Sequence, residues 1–146
     1  MFQGATTLNL DVKGRLAIPS RHRDALVAIS EGQFVLTAHP HGCLLFYPLN
    51  AWEPIRDRVL ATSSLNPGSA AIKRLLVGNA RDEELDSAGR LLIAPELRQF
   101  AKLEKKVWLV GQGSHFEIWS DEGWIKEQEK VFLLKELPPD LEGLPL

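Results

Sequence analysis

The sequence predicts an α+β protein made of two tandem copies of one small unit, and three observations carry that prediction. The chain matches itself at an offset of 75 residues. Each copy spells the same succession of short strands, breaker-rich turns and a proline-opened helix. The composition, 45% hydrophobic and 25% charged over 146 residues, is that of an ordinary globular chain. The offset places Leu10-Asp11-Val12-Lys13-Gly14-Arg15-Leu16-Ala17-Ile18 over Leu85-Asp86-Ser87-Ala88-Gly89-Arg90-Leu91-Leu92-Ile93, with Arg23 over Arg98. Seven of the 17 positions from 10 to 26 match those from 85 to 101, where ordinary residue usage gives about one.

The elements follow in order. A strand is expected over Thr6 to Leu10, and its copy over Arg81 to Leu85. Each runs into an Asp-x-x-Gly turn, where Asp accepts local backbone hydrogen bonds and Gly tolerates positive φ, the chemistry of a tight hairpin. A second strand follows, Arg15 to Ile18 and Arg90 to Ile93. Pro19 and Pro95 end it and open short helices, Ser20 to Ile29 and Pro95 to Lys102. Two more strands close each unit: Gln33 to Ala38 with Cys43 to Tyr47, and Lys106 to Gly111 with His115 to Trp119, joined by His39-Pro-His-Gly42 and Gln112-Gly-Ser-His115. Phe34-Val35-Leu36-Thr37 aligns with Val107-Trp108-Leu109-Val110, Leu45-Phe46 with Ile118-Trp119, and Trp52 with Trp124.

Helices connect and finish the repeats. Ala51 to Ala61 sets Trp52, Ile55, Val59 and Leu60 on one face, a second helix is expected from Ser69 to Leu76, and Trp124, Ile125, Val131 and Phe132 form a stripe over Trp124 to Leu134 that calls for burial. The tryptophans read as packing groups on the strands, and the proline-rich tail from Pro138 as mobile. The organisation expected is a first repeat over 1–62, a helical connector over 63–76 and a second repeat with a C-terminal helix over 77–146, two copies that do not fold separately.

Composition narrows the class. No apolar run approaches the roughly 20 residues of a membrane span. Met1-Phe2-Gln3-Gly4 lacks the positive and apolar regions of a secretory signal, and the single Cys43 suits a reducing compartment, so a cytoplasmic setting is expected. No phosphate-cradling Gly-x-x-x-x-Gly-Lys, nucleophile elbow or His-Glu-x-x-His occurs, which gives no grounds for an enzyme, a cofactor or a small-molecule substrate.

The repeated Asp and Arg admit two compatible readings. Asp and Gly shape the turn while Arg pairs back to Asp, or Arg, held by that pairing, projects its planar fork toward a phosphate or a guanine edge. Charge separates the copies. From Ala5 to Asp24, Lys13, Arg15, Arg21 and Arg23 oppose Asp11 and Asp24, a local charge of +2 that His22 can raise. From Ala80 to Gln99, three arginines face five acids, a local charge of −2. The first copy is therefore the expected nucleic-acid face and the second mainly architectural. The net charge of −2 is a sum of segregated charges, not evidence against a polyanion partner.

At these residues the sequence resembles the MraZ family of bacterial transcriptional regulators. The resemblance rests on the Met-Phe-x-Gly opening, Asp11/Arg15 and Asp86/Arg90 in register, the Ile18-Pro19 step and the duplication, and it spans essentially the whole chain. It implies two swapped-hairpin units like those of the SpoVT-AbrB and MazE superfamily, closing as a pseudo-dimeric β-barrel with flanking helices. It also implies a ring-shaped homo-oligomer on double-stranded DNA direct repeats, a nucleoid-associated repressor of its own division and cell-wall gene cluster. Carried onto this chain, the DNA-binding candidates are Arg15, Lys13, Arg21 and Arg23. Asp11, Gly14, Asp86, Gly89 and Arg90 are motif and structural positions, with Arg90 set among acids.

Two alternatives belong to other classes. The segment from Asp121 to Leu146, with seven acids and three lysines, suits an antitoxin-like protein-interaction module. His39, His41 and Cys43 offer metal-ligand types in one turn.

Overall fold

The strands of the two copies interleave. In the computed structural model, which describes residues 1–146, β1 (Ala5–Asn9), β2 (Arg15–Ala17), α1 (Ser20–Ser30), β3 (Phe34–Ala38), β4 (Leu44–Pro48), α2 (Leu49–Leu60) and α3 (Pro67–Leu76) are followed by β5 (Arg81–Glu83), β6 (Arg90–Leu92), α4 (Pro95–Phe100), β7 (Lys106–Gly111), β8 (Phe116–Ser120) and α5 (Asp121–Glu129). A six-stranded sheet runs β1-β7-β8-β4-β3-β5, and β2 pairs with β6 in a separate two-stranded ladder. All pairings are antiparallel.

The turn chemistry holds, but the hairpin does not extend. Asp11 and Arg15 exchange one backbone hydrogen bond across the turn (Asp11 N–H to Arg15 O, 3.0 Å), and Asp86 and Arg90 do the same. Beyond it the strands part: β1 pairs with β7 of the other copy, β5 with β3, and β2 with β6. The expected barrel is not closed either. β1 and β5 are free edges, because β2 and β6 take each other as partners and leave the large sheet open. Charged Arg81, Asp82 and Glu83 blunt the β5 edge.

One core serves both copies. Leu16, Ile18, Leu26, Phe34, Leu36 and Phe46 from the first half pack with Leu91, Ile93, Leu97, Val107, Phe116 and Ile118 from the second, all essentially inaccessible. Burying each such side chain is worth about 1.5–3 kcal/mol. Phe2 enters this core too. Its N–H and carbonyl bridge to Gly113 at 2.8 and 2.7 Å, and its ring lies 4.6 Å from that of Phe116. Gly111 permits this approach, since a Cβ there would fall 2.5–2.7 Å from the backbone of Phe2 and Gln3.

The opposite face of the large sheet is covered unequally. Trp52 of α2 and partly buried Leu76 of α3 pack over Val35, Leu45 and Tyr47, while Trp124 of α5 packs by Cys43, Val110 and Trp119. The tryptophans thus pack onto strands. The strand pairing also shifts one alignment by a residue. Leu44 lies opposite Ile118 and Phe46 opposite Phe116, so Phe46 corresponds to Ile118, both in the shared core, and Tyr47 to Trp119. Pairing Leu45 with Ile118 would equate an outward side chain with an inward one, because a one-residue slip reverses every face.

Beyond Trp124 the C-terminal stripe is not buried within the chain. α5 ends at Glu129, a 3-10 turn spans Lys130–Leu133, and the tighter winding breaks the helical stripe. Val131, Phe132, Leu133 and Leu134 stay 54–83% exposed. A second 3-10 turn, Pro139–Leu141, orders part of the tail expected to be mobile.

Candidate nucleic-acid interface

Each Asp-x-x-Gly-Arg turn is built by one carboxylate. Asp11 Oδ1 accepts from the backbone N–H of Lys13 (3.0 Å) and of Arg15 (2.8 Å), while Oδ2 accepts from Arg15 Nε at 2.8 Å. In the second copy Asp86 holds the N–H groups of Ala88 and Arg90 at 2.9 Å and Arg90 Nε at 2.8 Å. Gly14 and Gly89 close the turns at φ of +82° and +75°, a region costly for residues with a Cβ. Both readings of the motif therefore coexist: the Arg pairs back to its Asp through Nε, and its terminal amino groups remain available for a second acceptor.

The ladder decides where these arginines point. Arg15 lies opposite Leu92, Leu16 opposite Leu91 and Ala17 opposite Arg90. Leu16 and Leu91 face the core, so Arg15, Ala17, Arg90 and Leu92 share the outer face. Arg15 and Arg90 are diagonal neighbours there, a relation that sets Cα atoms about 7–8 Å apart. The composition of the second copy gave no hint that Arg90 would stand on the same face as Arg15. That juxtaposition comes from pairing between the copies.

The remaining candidates separate. Lys13 is exposed at the tip of its turn, next to the fully exposed Val12. Arg21 is exposed on α1, hydrogen-bonded to Thr6 Oγ1 of β1 and to His22 Nε2. The surroundings of His22 oppose a charge on its ring. Its ring packs edge-on to Phe116 at 4.9 Å, and burial followed by the Arg21 charge pushes its pKa down. Arg23 turns away, toward the second copy's turn, and donates to Ala88 O at 3.3 Å.

Asp11 and Asp86 are both held below the ordinary carboxylate range, first by the backbone N–H of the motif arginine, with burial opposing as the next largest effect, and then by the arginine side chain. A carboxyl lowered on folding stabilises the native state above its unfolded value, near pH 4, and that contribution fades as pH falls through the folded value. The urea midpoint is therefore expected to drop more steeply between pH 6 and pH 3 in the parent than in an Asp11→Asn/Asp86→Asn variant. Parallel titrations would refute this.

The metal-ligand types are not assembled. Cys43 is fully buried beside Val110 and Trp119, and burial pushes its thiol far above the usual range. His39 Nδ1 accepts the N–H of His41 at 2.9 Å, and no group of three or more His, Cys, Asp or Glu side chains is placed to hold a metal ion. No helix is long and apolar enough to cross a membrane.

Comparison with known proteins adds to this geometry. The family profile described as "MraZ protein, putative antitoxin-like" matches residues 1–75 and again 76–135. The chain belongs to the MraZ family. Proteins named "Transcriptional regulator MraZ" from Dechloromonas aromatica, Aromatoleum aromaticum and Methylobacillus flagellatus are 64%, 62% and 61% identical to it, each alignment covering 100% of both chains. MraZ proteins are regulators of transcription, not enzymes. The double match places the family's repeat on the same two halves whose turns and ladder strands answer each other here.

Proposed function

We propose that this MraZ protein regulates transcription by binding double-stranded DNA through the outer face of the β2/β6 ladder and its flanking turns. The observation that carries the reading is the pair Arg15 and Arg90, side by side on that face, each locked by its own aspartate with terminal amino groups free. A donor already fixed in place loses little entropy on meeting a phosphate or a guanine edge. Arg15 is the principal contact, supported by Lys13 at the turn tip and Arg21 on α1, while Arg90 sits among acids and contributes less.

We read the two halves as swapped-hairpin, SpoVT-AbrB-like units forming a pseudo-dimer, with 63–76 as connector. The support is the exchange of first strands, β1 onto β7 and β5 onto β3. The partner is a set of tandem promoter repeats, bound by a homo-oligomeric ring in the cytoplasm at the nucleoid, with repression of the protein's own division and cell-wall cluster as outcome. Few contacts per subunit give weak, salt-sensitive binding, and a ring multiplies them through effective concentration. DNA carrying three or four correctly phased repeats is expected to bind at least tenfold more tightly than one repeat. Equal affinity for both would sink the reading.

Self-association has its own support in Val131, Phe132, Leu133 and Leu134, a contiguous exposed apolar run unusual for a monomer. A Phe132→Ser/Leu133→Ser variant is expected to sediment as a smaller species at the same concentration while keeping its far-UV circular dichroism. An unchanged sedimentation coefficient would place the subunit contact elsewhere. The same run is what an antitoxin-like module would offer a protein partner, and recovery of a stoichiometric heterologous partner in place of self-assembly would favour that alternative.

A further inference from the structure

Arg23 and Arg98 stand at matched positions of the two copies, and neither is used by its own copy. The guanidinium of Arg98 lies against Gly14, so closely that a Cβ on Gly14 would fall 2.7–3.0 Å from its Cζ, Nε and one terminal nitrogen. Arg23 lies against Gly89 in the same way. The carbonyls of these glycines are also held across the copies. Ile93 N–H donates to Gly14 O at 2.8 Å, and Ile18 N–H donates to Gly89 O at 3.0 Å. Each turn is therefore gripped at its glycine twice, by an isoleucine amide and by an arginine five residues farther along the other copy.

The grip has a cost that calls for a reason. Nε of Arg23 and Nε of Arg98 are buried without hydrogen-bond partners, which ordinary packing avoids. A flat guanidinium covering a peptide face is the arrangement that only glycine leaves room for. The grip uses three of the matched residues of the repeat, its Gly, Ile and second Arg, in both copies.

We propose that Arg98 is a positioning residue for the DNA-facing turn of the first copy, fixing Gly14 and through it Lys13 and Arg15, and that Arg23 does the same for the turn carrying Arg90. The consequence for DNA rests on the reading above, while the clamp itself does not. Arg98 lies in the acidic copy, yet it acts on the basic one. It is not a phosphate contact, and its charge is not what matters. Its planar head is.

The test compares Arg98→Met and Arg98→Lys with Arg15→Ala and Arg23→Met, using full-length protein and a tandem-repeat duplex, with circular dichroism confirming folding. Arg98→Met is expected to weaken binding roughly tenfold with an unchanged slope of log affinity against log salt, whereas Arg15→Ala lowers the slope as a lost phosphate contact does. Arg98→Lys is expected not to restore affinity, because lysine keeps the charge but not the plane. Arg98→Met and Arg15→Ala combine less than additively, and Arg23→Met with Arg15→Ala additively. Independently of DNA, hydrogen exchange at the Arg15 and Ile93 amides speeds up in Arg98→Met.

A fall in salt slope in Arg98→Met, rescue by lysine, or full additivity with Arg15→Ala would overturn the positioning role. Unchanged exchange at both amides would overturn the clamp. Faster exchange in Arg98→Met together with undiminished DNA binding by Arg15→Ala would leave the clamp standing and remove both the DNA-binding reading and the positioning role built on it. Should Arg98→Met fail to fold, Arg98→Lys carries the same slope and exchange measurements.

Discussion

Arg15→Ala is expected to lower affinity for a single DNA half-site by about 5- to 150-fold, the range of one bidentate arginine contact, and by more on tandem repeats, where every subunit loses the same contact. Arg90→Ala is expected to cost less. The two arginines are geometrically equivalent, with Nε 2.8 Å from its aspartate in each copy. Their surroundings differ: Lys13 precedes Arg15, whereas Ala88 holds the corresponding place and Glu96 replaces Arg21. Asymmetry in binding would therefore be electrostatic in origin, and it should narrow as salt rises. Titrations of both variants at two salt concentrations decide the matter. Equal losses, with both proteins folded, would mean that the ladder reads DNA as a symmetric pair of arginines and that local charge is irrelevant.

The second large effect concerns folding. A fragment of residues 1–76 is expected to have no folded monomer. In it β1 loses β7, its only partner, β4 loses β8, and β2 loses β6. Leu16, Ile18, Phe34 and Phe46 lose the half of their core supplied by Leu91, Ile93, Phe116 and Ile118. A chain of that size buries too little surface to offset its conformational entropy without the second half. Circular dichroism at low micromolar concentration is expected to show a largely unfolded fragment. Structure regained at higher concentration would come from dimers in which two first copies exchange strands, with a melting temperature that rises with concentration. A folded monomer by sedimentation would show that the copies are autonomous.

How far the sequence reached depends on the distance over which each feature is decided. The Asp-x-x-Gly-Arg turn is set within five residues by one carboxylate and one positive φ, so it was legible in both copies. Apart from the last helix, expected to reach Leu134 but ending at Glu129, the strand and helix limits fell within a few residues of those observed, because prolines and glycines mark them locally. Whether two strands that leave a turn stay together depends on partners some 45 to 105 residues away, and hairpin chemistry led to the wrong pairing for β1 and β2. The alignment of Leu45-Phe46 with Ile118-Trp119 failed by one residue for a related reason, since only cross-strand register fixes which face is which.

Among the candidate residues, the exposed place of Lys13 at the turn tip and the aspartate lock on Arg15 were readable from turn chemistry. The placement of Arg23 was not. Its place in a basic window suggested a DNA contact, but the interleaving of the copies turns it onto Gly89. Its match with Arg98 at the repeat offset was the one available signal of a structural role, because charge had diverged around it and the arginine had not. Likewise the apolar stripe after Trp124 announced a need for burial without naming what meets it, and the chain leaves it exposed.

By itself, then, the sequence determined the duplication, the order of elements, the two carboxylate-locked turns and the family, all of which are written in short-range patterns or in identity with relatives. The tertiary structure decided that the copies share one core, that Arg15 and Arg90 stand on one face, that Arg23 and Arg98 grip each other's turns, and that the sheet stays open at β1 and β5. These follow from hydrogen bonding between distant strands, where each backbone group must find a partner and each alternate side chain must take one side of the sheet.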